Sequence, residues 1–88
     1  MFRVIKDDHM DLWYLQKRFL WRFWVKVELW DYASRSLPGV YRAMTRGKLI
    51  FERGQRGAYW YMMDKGYYTE AFYESAEAFR DQHVEEFI

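Results

Sequence analysis

The side chains of this sequence with the potential for chemistry are five aliphatic hydroxyls, two imidazoles and several runs of carboxylates. Ser34, Ser36, Thr45, Thr69 and Ser75 are the hydroxyl nucleophiles and His9 and His83 the imidazole bases, but no spacing links a base to a nucleophile as an acyl-transfer site requires. Gly47-Lys48 has the ending of a phosphate loop, yet Leu49 replaces the Ser or Thr that would meet magnesium, and Arg42 stands where the first glycine belongs. Gly54-Gln55-Arg56-Gly57 lacks the third glycine and the following helix of a dinucleotide fingerprint. Both read as turns. Asp7-Asp8-His9-Met10-Asp11 offers four oxygen or nitrogen ligands without the ligand spacing of a calcium loop, so a polar hairpin turn is expected there. Glu74 with Glu77, and Glu85-Glu86, are spaced for a solvated helix face. His83 falls on an apolar helical stripe, where a hydrogen-bonded, half-buried imidazole is expected. The expectation is a protein without catalytic, metal or cofactor site.

The elements that carry these groups follow from composition and period. The chain has 88 residues, no Cys and 23% aromatic residues, with a mean hydropathy of -0.54. That aromatic content argues against disorder and supplies a small core with few residues. The apolar runs are too short for a spanning helix, and the start shows no secretory leader, so a cytoplasmic protein with no membrane partner is expected. We read one domain over residues 1–88. Residues 2–6 form a first strand, and residues 12–17 a second, turning near Lys17-Arg18. Residues 19–29 form a third, with Phe19, Trp21, Phe23, Val25, Val27 and Leu29 alternating toward the core. On this reading Trp24 and Trp30 fall on the opposite parity. Ser36, Pro38, the stripe Val40, Ala43 and Met44, and a left-handed Gly47 mark a short middle helix. Residues 48–53, 54–57 and 58–63 read as strand, turn and strand, and residues 64–66 break the pattern. The stripe Phe72, Ala76, Phe79, His83 and Phe87 predicts a C-terminal helix starting near residue 70 or 75, with 67–73 as an alternative final strand. The fold class is α+β: an antiparallel sheet of about four to five strands, a short middle helix and a C-terminal helix.

Formal charge is near neutral overall but segregated: residues 1–34 carry +1, residues 35–56 carry +5 and residues 57–88 carry −5. Five Trp, eight Tyr, five Met and nine Arg exceed what an 88-residue core encloses, and Trp, Tyr and Arg are the residues that dominate protein interfaces. Trp24, Trp30, Arg42, Arg46, Arg53 and Arg56 are therefore the candidate partner-binding residues. The alternative is nucleic-acid binding by the basic 35–56 block, whose arginines interleave with Tyr41, Phe51, Tyr59, Trp60 and Tyr61. Exposed rings closing a homodimer is a third use.

The run from Tyr14 to Glu28 (YLQKRFLWRFWVKVE), with residues 74–79 (ESAEAF) opening a late helix, resembles the small accessory proteins of tailed bacteriophages. The likeness spans roughly a quarter of the chain, and no site residue is carried over from it. It implies a protein that binds and inhibits a host or defence protein, as anti-CRISPR and related anti-defence factors do, with the aromatic surface as the working part.

Overall fold

Three consecutive antiparallel strands, β1 (Phe2–Asp7), β2 (Leu12–Phe19) and β3 (Phe23–Val27), open the fold as the alternation predicts. The computed structural model describes residues 1–51 and 66–87. A 3-10 turn (Ala33–Arg35) leads to α1 (Leu37–Arg46) and the short β4 (Leu49–Ile50). After the second described segment begins, β5 (Tyr68–Tyr73), α2 (Ala76–Gln82) and a 3-10 turn (Val84–Phe87) follow. The sheet has the order β4-β3-β2-β1-β5 with every neighbour antiparallel. This is the α+β class expected from the sequence. Among the described residues no helix is long and apolar enough to cross a membrane. The expected turn at 54–57, the strand at 58–63, and the end of the 48–53 strand lie outside the described residues.

Register decides which side chains meet. Val4 stands between Leu15 and Ala71, and Phe2 between Lys17 and Tyr73, so this parity of the sheet faces one way. On it Phe2, Val4, Leu15, Val27 and Tyr73 join Val40, Ala43 and Met44 of α1 and Ala76 and Phe79 of α2 in one core. Phe79 is fully enclosed. Both helices are fixed by serine caps: Ser36 Oγ accepts from Gly39 N–H at 3.1 Å and Ser75 Oγ from Ala78 N–H at 3.1 Å, satisfying N–H groups that the first turn leaves unpaired.

Two local expectations are corrected and one alternative is decided. The third strand does not run unbroken over 19–29, and Lys17-Arg18 is not its turn. Instead β2 continues to Phe19, residues 20–22 turn, and Phe19 pairs with Phe23. The alternation concealed this because paired positions on either side of the turn keep one parity. Trp21, expected in the core, occupies the turn, and Phe19 and Phe23 are exposed, while Val25 and Val27 are buried as expected. Gly47 ends α1 in extended conformation (φ −66, ψ 143), not left-handed. What requires glycine is close approach, since a Cβ there would run into Val27 Cγ1 and the Ala43 carbonyl. Of the two starts expected for the last helix the one near residue 75 holds, and 68–73 is the alternative final strand, because pairing with β1 places Tyr73 in the core. Phe72, expected on the helical stripe, lies in β5 and faces the opposite side of the sheet, opposite Arg3.

Candidate functional site

The polar side chains at the β1–β2 turn are engaged in building it. Buried Asp7 accepts from the N–H groups of His9 and Met10, each at 3.0 Å, an Asx-type closure of the turn. Asp8 accepts from the Thr69 hydroxyl at 3.0 Å. Asp11 pairs with Lys6, whose hydrogen bond and charge hold the carboxyl below its ordinary pKa. No three metal-ligating side chains converge among the described residues. The hydroxyls are likewise locally bound: Ser34 donates to the Asp31 carbonyl, Thr45 to that of Arg42, and Ser36 and Ser75 cap helices. His83 is half-buried with Nε2 3.0 Å from the Tyr73 hydroxyl and Nδ1 3.9 Å from Glu86. Burial raises the pKa of that Tyr73 hydroxyl. This pair ties the C-terminal turn to β5.

Among the described residues a cleft lies beyond the Gln16–Lys26 pair, where the β2–β3 pairing ends. Its volume is about 180 Å³, and Leu12, Trp13, Leu15, Val27 and Leu29 line it. It falls below the roughly 300 Å³ at which small-molecule sites begin.

The candidate partner-binding residues do not form one surface. Trp24 lies on the sheet face opposite the helices, half-buried, with the Arg3 guanidinium 4.6 Å and that of Arg18 5.2 Å from its ring and Phe72 at 5.9 Å. Arg3 also donates to the buried Gln16 carbonyl (Nε to Oε1, 2.6 Å) and pairs with Glu70 at 3.5 Å. Further along the same face Tyr68 sits beside Tyr14. Burial first, then the Tyr14 hydroxyl and the Asp7 carboxylate, push its pKa well up. Trp24 thus belongs to a layer of interacting polar and aromatic side chains on this face. Trp30, Arg42 and Arg46 lie instead on residues 30–46, the segment that covers the other face. There Trp30 is 50% and Tyr32 69% exposed, Arg35, Arg42 and Arg46 face outward, and the inward side of α1 builds the core. Arg42 and Arg46 enter no ion pair among the described residues. Arg53 and Arg56 lie outside the described residues. Among the described residues no ion pair joins the basic 35–51 stretch to the acidic 66–87 stretch, and α2, which carries Glu77 and Asp81, packs on α1 and β5.

A second exposed cluster lies on the parity that the alternation directs to the core. At the β2–β3 turn Leu20 and Trp21 both adopt positive φ (51 and 52), closed by Arg22 N–H to the Phe19 carbonyl at 3.2 Å. That geometry belongs to turns favoured by Asn-Gly, and bulky residues in it are strained. Trp21 is 82% exposed. Phe19 and Phe23 are exposed beside it, and the edge of Phe51, 67% exposed, meets Phe19 at 5.3 Å. Lys17, Arg18 and Arg22 surround this tip, and no carboxylate occurs between Asp11 and Glu28. The sequence signal for it was that acid-free run around Phe-Leu-Trp-Arg-Phe. Compared with known proteins, the chain matches no protein family, no curated protein and no solved structure, and the two exposed surfaces are the basis for assigning it a role.

Proposed function

We propose that this chain is a small, non-enzymatic interaction protein, phage-encoded and acting in the host cytoplasm, that binds and inhibits a host or defence protein. Its working surface is the outward side of residues 30–46. The observation that carries this reading is that Trp30, Tyr32, Arg35, Arg42 and Arg46 face solvent on a segment whose other side is locked into the core. Exposed aromatic and guanidinium side chains on a rigid support are what interface hot spots are made of, since little ordering entropy remains to be lost on binding. The resemblance to phage accessory proteins supports an inhibitory role.

The test is capture from host lysate at physiological salt, with wild type and a Trp30→Ala/Arg42→Ala/Arg46→Ala variant of equal thermal stability as baits. One specific protein held by wild type and lost by the variant is the expected result, with the affinity falling at least about thirtyfold for the loss of roughly 2 kcal/mol or more. No specific partner, or equal capture by both baits, removes the proposal. Sedimentation checks the competing use of the rings in a homodimer, and a monomer at high concentration excludes it.

A further inference from the structure

We infer that the β2–β3 tip is a binding surface for single-stranded nucleic acid, a role independent of the protein-binding surface on residues 30–46. Three observations combine. Phe19 and Phe23 form a cross-strand pair on one face, and Phe51, following β4, brings its ring against Phe19. Aromatic rings from neighbouring strands thus lie together in solvent, with Trp21 projecting beyond them, and unpaired bases stack on such rings whatever their sequence. Lys17 and Arg18 leave the sheet on its two opposite faces, one over the Phe2 ring at 5.8 Å and one over Trp24 at 5.2 Å, so cations flank the rings from both sides. Arg22 completes the set within the turn.

Charge is also directional along the hairpin. Asp8, Asp11, Glu28 and Asp31 all sit at the end where β2 begins and β3 finishes, while Lys17, Arg18 and Arg22 sit at the tip, and no carboxylate interrupts them. A phosphate chain approaching the tip meets only positive potential from this hairpin and is repelled from its base, which orients the encounter. A purely apolar protein anchor has no need of cations on both faces. Nor does the basic stretch on α1 supply this platform: Tyr41, the aromatic within it, packs against Phe87 at 5.8 Å and lies under Arg80.

The experiment is fluorescence anisotropy of a labelled twelve-nucleotide oligothymidylate titrated with the full chain, with a duplex of the same length as comparison. With three cations engaged, the affinity is expected to fall with salt at a log–log slope near about −2, from the roughly 0.7 counterions released per phosphate contact on single strands. Replacing Lys17, Arg18 and Arg22 together by Gln flattens that slope. Trp21→Ala weakens binding about five- to a hundredfold at unchanged slope, the range expected for losing one stacked base. Trp21→Gly, which removes the ring while relieving the backbone, gives the same loss and so excludes misfolding as its cause. Arg42→Ala with Arg46→Ala leaves the affinity unchanged. Absence of binding, wild-type affinity in Trp21→Gly, or equal affinity for the duplex overturns the inference. In the first two cases the tip rings are left for a protein partner. None of these outcomes bears on capture through Trp30, Arg42 and Arg46.

Discussion

The two halves of the β2–β3 hairpin have one pattern and opposite fates. Along β3, Phe23, Val25 and Val27 alternate with Trp24 and Lys26, yet Val25 and Val27 are buried while Phe23 stands in solvent. Period two states that one face of a strand is apolar, not that anything covers it. Val27, Leu15 and Val4 are covered by the stripes of α1 and α2, and the core they share stops short of the tip. An apolar residue beyond the reach of the covering helices is a candidate contact with another molecule.

The largest expected contrast is between two phenylalanines. Phe79→Ala removes a fully enclosed ring and should destabilise the fold by about 3–5 kcal/mol, while Phe23→Ala should stay within about 0.5 kcal/mol of wild type. Urea denaturation of both variants measures it, and equal losses would dissolve the distinction between covered base and open tip. Gly47→Ala drives a methyl between Val27 and the end of α1 and is expected to lose about 1–3 kcal/mol in the same assay. A neutral result would mean that α1 is not pressed onto the hairpin base.

At the tip the sign reverses. Leu20→Asn with Trp21→Gly suits the backbone to its positive φ angles and should raise stability by about 1 kcal/mol. Thermal unfolding of the double variant reads that gain, and destabilisation would show that the exposed rings support the fold.

The smallest effect is alkaline. Tyr68 and Tyr73 both have raised pKa values because burial disfavours the phenolate. Their contribution to stability is complete below the ordinary value of 10.0. As pH rises above it, the unfolded chain gives up these protons while the folded chain holds them, so stability is lost. Unfolding free energy measured from pH 9 to 11 should fall, and less steeply in Tyr68→Phe. An unchanged slope would place Tyr68 in water.

Local chemistry was legible wherever neighbours in sequence are also partners in space. Ser36 and Ser75 cap helices that their own following residues form, and Asp7 closes a turn with the N–H groups two and three positions on. The stripe of Phe79, His83 and Phe87 holds over two kinds of helical turn because its spacing suits both. The site was less legible. Parity sets Trp24 off the core face, but not the two guanidinium groups over its ring, which come from two other strands, Arg3 from β1 and Arg18 from β2. The alternation points Trp21 inward because a hairpin turn inside an alternating run keeps the parity of the strands around it.

The sequence by itself determined the class of fold, the meander, the caps and the excess of aromatic and cationic side chains over what a core of this size encloses. All of these follow from propensity and periodicity within a few residues. Only the tertiary structure decided which rings are covered and that Gly47 answers to Val27 rather than to its own φ. Those outcomes depend on where α1 and α2 come to rest on the sheet, a contact between distant segments that no local period encodes.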